Sequence, residues 1–162
     1  MAQSGFAVAA FSDGGVWRCE ALPPAMLDDL GVLLSALRGQ PPEGGPFVVA
    51  SIDEEFFLIA RSHGGRIDLL LSDLTAAVEF SLAAQVLDRL GEDPPEEDEL
   101  DEVWPIGELD LFADLELPEG EMEAILDDLD AYPEEMLDTV LSRIGLAEQF
   151  REALAASGRV LR

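Results

Sequence analysis

The chain has 162 residues, enough for one ordinary domain or one domain with a small appendage, and 48% of them are hydrophobic, which is ample for a packed core and excludes global disorder. Thirty-five acidic residues face nine basic ones, giving a formal net charge of −26 at pH 7. A field of that sign repels phosphate backbones and anionic membrane surfaces, so it argues against direct binding of nucleic acid or lipid.

All nine basic residues are arginine, and they are unevenly placed. Residues 1–90 carry a net charge of −7, whereas residues 91–142 hold 21 acids and no base. Residues 143–162 return to +2. A basic protein surface is the natural complement of such a stretch, with fast and salt-sensitive association. The plainer reading is that the acid only keeps the chain in solution.

One cysteine, Cys19, excludes an internal disulfide and a cysteine metal cluster, and suits a reducing compartment. No run approaches the ~18 apolar residues of a membrane span. The start, Met1-Ala2-Gln3-Ser4-Gly5-Phe6, lacks the positive region of a secretory signal. The expected location is the cytoplasm.

In chain order, Gly5–Phe11 and Val16–Ala21 are predicted strands joined by the turn residues Ser12-Asp13-Gly14-Gly15. Pro23-Pro24 opens a helix whose stripe is Leu30, Leu33, Leu34 and Leu37, closed by Arg38-Gly39. The Pro- and Gly-rich stretch 40–46 is a loop. Three strands follow, Phe47–Ile52, Phe56–Arg61 and Ile67–Leu71, linked by Asp53-Glu54-Glu55 and by His63-Gly64-Gly65. Links this short favour antiparallel neighbours. Ser72-Asp73 caps a helical stretch to about Leu90, with a break near Ser81.

The prediction is therefore an α+β domain over residues 1–90, a five-stranded antiparallel sheet in ββαβββα order. Strands apolar on both faces, such as Phe47–Ala50 and Phe56–Ala60, require helices on both sides of the sheet. The order is similar to that of longin-like and profilin-like domains, an analogy of fold that assigns no function.

Residues 91–108 are predicted to be an acidic linker. Eight of the twelve residues Gly91–Glu102 are Asp or Glu, and Pro94-Pro95 breaks any helix. Residues 109–162 read as a small helical unit. Leu109, Phe112 and Leu115 suggest a short helix, and Met122, Ile125, Leu126 and Leu129 a second. Pro133 with Glu134-Glu135 starts a third, whose buried face is Met136, Leu137, Val140, Leu141 and Ile144. Phe150 and Leu154 supply a last amphipathic turn.

Catalytic apparatus is not visible. His63 is the lone histidine and precedes Gly64-Gly65 in a predicted turn, so neither a Ser-His-Asp nor a Cys-His set can be assembled. Cys19 reads as half-buried packing on its strand. Asp127, Asp128 and Asp130, and the pair Asp110 and Asp114 at i, i+4, lack the spaced ligands, central Gly and terminal Glu of a calcium loop. No catalytic residue, metal site or cofactor is expected.

The candidate partner-binding residues are Glu96, Glu97, Asp98, Glu99, Asp101, Glu102 and Trp104. Trp104 in Val103-Trp104-Pro105-Ile106-Gly107 is either a core aromatic folded back onto the protein or an anchor for a partner's pocket, ringed by charge. Trp17 reads as core on its strand.

The string Val103-Trp104-Pro105-Ile106-Gly107-Glu108-Leu109-Asp110-Leu111-Phe112-Ala113-Asp114-Leu115, together with Leu126-Asp127-Asp128-Leu129-Asp130-Ala131-Tyr132-Pro133-Glu134-Glu135-Met136-Leu137, resembles the actinobacterial tRNA adenosine deaminase-associated proteins. Val48–Arg61 and Leu70-Leu71-Ser72-Asp73 extend the resemblance over nearly the whole chain. It implies partnership with that enzyme. The chain cannot be the deaminase itself, which holds zinc through His-x-Glu and Pro-Cys-x-x-Cys. The function expected is that of a non-catalytic accessory protein on a basic protein partner, with acidic mimicry of nucleic acid as one route. The alternative is a self-associating scaffold, a homo-oligomer whose acid serves only solubility.

Overall fold

A computed structural model describes residues 5–96, 98, 105–128 and 130–156. Its centre is one antiparallel sheet in the order β2-β1-β3-β4-β5-β6. The strands are β1 Gly5–Asp13, β2 Val16–Leu22, β3 Phe47–Ile52, β4 Phe56–His63, β5 Arg66–Leu71 and β6 Ile106–Gly107. The α+β class holds, but the sheet has six strands where the sequence predicts five. The added strand comes from the stretch read as linker.

Turn chemistry fixes the hairpins. In β1–β2 the closing pair is Asp13↔Val16, and Gly14 and Gly15 occupy the two-residue loop at φ 61° and 85°. Two positive φ values in succession match the right-handed twist of the flanking strands, and glycine reaches them without strain. Between β3 and β4 the same region is occupied by Asp53 (φ 51°) and Glu54 (φ 59°), and the Glu55 amide donates to the Ile52 carbonyl at 2.9 Å.

The sheet's two faces are both buried, as the apolar runs require. On one face Ala7, Ala9, Val48, Ala50, Ile52, Phe56 and Leu58 pack under α1 Leu30–Arg38 and α2 Ser81–Leu90. Short 3-10 turns at Pro24–Asp28 and Leu74–Val78 precede these helices, which is the break expected near Ser81. The Asp73 carboxylate accepts from the Thr75 amide at 3.0 Å, capping the second turn as predicted.

The other face is closed by the end of the chain. Phe6, Val8, Phe47, Val49, Phe57, Ile59 and Leu70 share one buried cluster with Phe112, Met122, Leu126, Leu137, Val140, Leu141, Phe150 and Leu154. Those residues belong to the segment 109–117 and to α3 Glu119–Leu126, α4 Pro133–Arg143 and α5 Ala147–Ala156. Leu129, expected on the α3 stripe, lies outside the described residues. Within the helical unit read at 109–162, these described elements form the sheet's second cover. Burying each of these Leu or Phe side chains stabilises the packing of this cover on the sheet by about 1.5–3 kcal/mol.

β6 makes that arrangement possible. Its register is Leu70↔Gly107 and Leu71↔Ile106, and the Glu108 amide donates to the Leu69 carbonyl at 2.8 Å. Gly107 sits at φ 117°, and a Cβ there would overlap the Leu69 carbonyl oxygen. Only glycine lets this strand lie against β5 before the chain turns to the second face.

Candidate interaction surface and the node that frames it

The sheet has two ends of different chemistry. At one end stand the β3–β4 turn Asp53–Glu55, the exit of β5 at Ser72-Asp73 and the entry of β6 at Pro105-Ile106, because the register pairs Ile52 with Phe56 and Leu71 with Ile106. At the other end are the Gly14-Gly15 and Gly64-Gly65 turns and the loop 40–46.

That second end is organised by Arg61, which is 1% exposed although it carries a full charge. Its Nε–H donates to the Gly45 carbonyl at 3.0 Å, and Nη2 donates to the Gly44 carbonyl and to Asp114 Oδ2, both at 2.9 Å. Nη1 donates to the Leu111 carbonyl at 2.6 Å and to Asp114 Oδ1. Each of the five guanidinium N–H groups therefore has an acceptor, which is what makes burial of the charge tolerable. The Phe112 ring lies 5.5 Å from the guanidinium carbon and stacks edge-on against Phe47 at 4.7 Å. Gly45, at φ 75°, cannot be replaced easily, since a Cβ would come within 2.8 Å of Arg61 Nη2.

Hydrogen bonding to Arg61, opposed in part by burial, holds the Asp114 carboxyl below the usual aspartate range. Asp114, weighed from the sequence as a metal ligand with Asp110, is thus the counterion of a buried arginine. Among the described residues no group of three or more His, Cys, Asp or Glu is placed to hold a metal ion. The reading of the sequence missed this node. Its signal was an arginine ending the apolar run Phe56-Phe57-Leu58-Ile59-Ala60, where both faces are buried.

The other chemical candidates settle into structural places. His63 is exposed at the end of β4. Cys19 packs half-buried against the second cover, and burial pushes its thiol up to about 12, leaving it protonated and unreactive at neutral pH. Trp17 is half-buried with its ring 5.8 Å from Phe47.

Of the seven candidate partner-binding residues, Glu96 and Asp98 are exposed. Glu97, Glu99, Asp101, Glu102 and Trp104 lie outside the described residues. The stretch is nevertheless fixed at both boundaries. It leaves α2 at Gly91, whose left-handed φ of 72° caps that helix, and it re-enters the sheet at Ile106. Ile106 pairs with Leu71, so the acidic stretch re-enters beside Ser72-Asp73, at the end of the sheet that carries the Asp53–Glu55 turn.

Next to that re-entry the α3–α4 connection forms a ridge between two clefts. One, of about 200 Å³, lies between Glu54, Glu55 and Asp73 on one wall and Ala131, Tyr132 and Met136 on the other. The second, of about 420 Å³, is floored by Ala124, Ile125, Ala131 and Met136 and rimmed by Glu121 and Asp128. Its one basic rim residue, Arg143, is already ion-paired with Glu121. Tyr132 stands on the ridge at 56% exposure. Its own amide donates to Glu135 Oε1 at 3.0 Å and Pro133 begins α4, so the backbone carrying the ring is held in place. Among the described residues no helix is long and apolar enough to cross a membrane.

The family model of Rv3753c-like tRNA adenosine deaminase-associated proteins matches residues 5–147. Protein Rv3753c of Mycobacterium tuberculosis is 37% identical over 156 residues, 96% of this chain and 90% of the relative. No solved structure matches.

Proposed function

The chain belongs to the family of Rv3753c-like tRNA adenosine deaminase-associated proteins, and on that premise we propose that it is a cytoplasmic, non-catalytic accessory protein that docks on a basic surface of the tRNA adenosine deaminase. The observation that carries the proposal is the stretch 91–142, with 21 acids and no base. An enzyme that binds tRNA presents cations to phosphates, and Glu96, Glu97, Asp98, Glu99, Asp101 and Glu102 offer closely spaced anions to the same groups. Trp104 would add an apolar anchor within that charge. Occupying the tRNA-binding surface would make the protein an inhibitor or a holding partner of the enzyme.

The test mixes the purified proteins at low and high salt, using wild type and a variant with every acid of residues 92–102 changed to its amide. Neutralisation is preferable to excision, because Ile106–Gly107 belongs to the sheet. Binding at low salt that weakens steeply in high salt and in the neutralised variant is the expected result. Binding that is absent, or indifferent to both changes, removes the mimic.

Self-association remains the second reading, favoured by one feature. Among the described strands β2 ends the sheet, leaving one backbone edge of Val16–Leu22 without a neighbouring strand. Light scattering that reports a defined oligomer, unchanged by the neutralised variant, would select it.

A further inference from the structure

The geometry points to a second contact on the same face: the ridge at Ala131-Tyr132 and its two clefts receive an arginine-bearing segment of a protein partner, with a guanidinium on the Tyr132 ring and an apolar side chain on the Met136 floor. This rests on the accessory reading for the partner's identity, but its residues are distinct from the acidic stretch.

Three observations carry it. Tyr132 is an exposed aromatic on a backbone already fixed by Glu135 and Pro133, so little ordering is required on contact. Both clefts combine an apolar floor with acid at the rim: Glu54, Glu55 and Asp73 on one side and Asp128 on the other, where Glu121 is already paired with Arg143. Such a groove complements a chain that brings cations and one hydrophobic group, and a cation over the face of a tyrosine ring gains further attraction. The β3–β4 turn that carries Glu54 and Glu55 is closed by the Glu55 amide donating to the Ile52 carbonyl at 2.9 Å, which positions the acidic wall.

Tyr132 is the chain's single tyrosine, so 3-fluorotyrosine labelling gives one fluorine resonance that reports on this ridge alone. The full-length labelled protein is titrated with purified tRNA adenosine deaminase and, separately, with a short peptide alternating arginine and leucine. With the deaminase we expect a saturable shift of the line, affinity roughly tenfold weaker for Tyr132→Ala, and near-wild-type affinity for Tyr132→Phe. Changing Glu54 and Glu55 to Gln should flatten the salt dependence. A deaminase that binds while the line stays put overturns this inference and leaves the accessory reading standing. If the deaminase does not bind, the accessory reading fails and the peptide decides: a saturable shift that Tyr132→Ala removes upholds the ridge as a receptor for basic segments, and an unmoved line overturns it.

Discussion

The two ends of the sheet use charge in opposite ways. At the Gly64-Gly65 end three arginines have a carboxylate at hand: Arg61 with Asp114, Arg66 with Asp68 at 3.1 Å, and Arg18 with Asp13 at 3.9 Å. At the Asp53–Glu55 end acids line a cleft beside an exposed tyrosine, and the acidic stretch re-enters next to them. The net charge of −26 hides this division. One end uses a buried arginine to tie loop 40–46 and the second cover to the sheet, while the other presents acids along an open cleft.

That contrast can be broken most severely at the locked end. Phe112→Ala removes a fully buried ring that touches both Phe47 and the Arg61 guanidinium, and should cost about 3–5 kcal/mol in urea unfolding. Arg61→Met strips the acceptors of Gly44, Gly45 and Leu111 of their donor and should cost about 2–4 kcal/mol. A double-mutant cycle with Asp114→Leu then separates the ion pair from the packing.

Asp114→Asn should cost less, about 1–2 kcal/mol near neutral pH, because the carboxylate is 50% exposed and water screens the pair. Its sign with pH is definite. The folded carboxyl is held below its unfolded value, so its contribution is present above the ordinary aspartate range and fades as pH falls through the folded value. The stability difference between wild type and Asp114→Asn should accordingly shrink on acidification, whereas a constant gap would show that the charge is immaterial.

At the open end the same kind of substitution should do little to the fold. Tyr132→Ala is expected to change stability by under about 0.5 kcal/mol, and a larger loss would mean that the ridge is structural. The exposed pair Arg151–Asp138, bidentate at 2.8 and 2.6 Å, bridges α5 to α4. Arg151→Gln should leave the thermal midpoint within error, since exposed pairs contribute little.

The first five strands were legible because their turns announce them. Glycine pairs at 14–15 and 64–65 and the acidic turn 53–55 bound apolar runs of strand length, and the residues they bracket pair in register. Apolar side chains on both faces also demanded two covers, and α1 with α2 supply only one. The second cover was assigned to a separate unit because the acidic residues 91–102 interrupt the hydrophobic pattern. A two-residue strand such as β6 has no alternation to detect, and Gly107 in sequence reads as a turn. The partnership of Arg61 with Asp114 spans 53 positions, and in a region so rich in acid no local pattern distinguishes the one carboxylate that is engaged. Of the proposed partner-binding residues the structure describes Glu96 and Asp98, so the acidic stretch stands on the charge pattern rather than on geometry.

The position of the second cover in the chain bears on how the protein is made. Phe6, Val8, Phe47 and Ile59 leave the ribosome well before the helices that shelter them, the last of which ends at Ala156. At synthesis rates of about 5–20 residues per second, one side of the nascent sheet faces water for several seconds before residues 109–156 can close over it. During that interval the newborn chain is a substrate for chaperones, and a premature stop before α4 would leave a permanently sticky product.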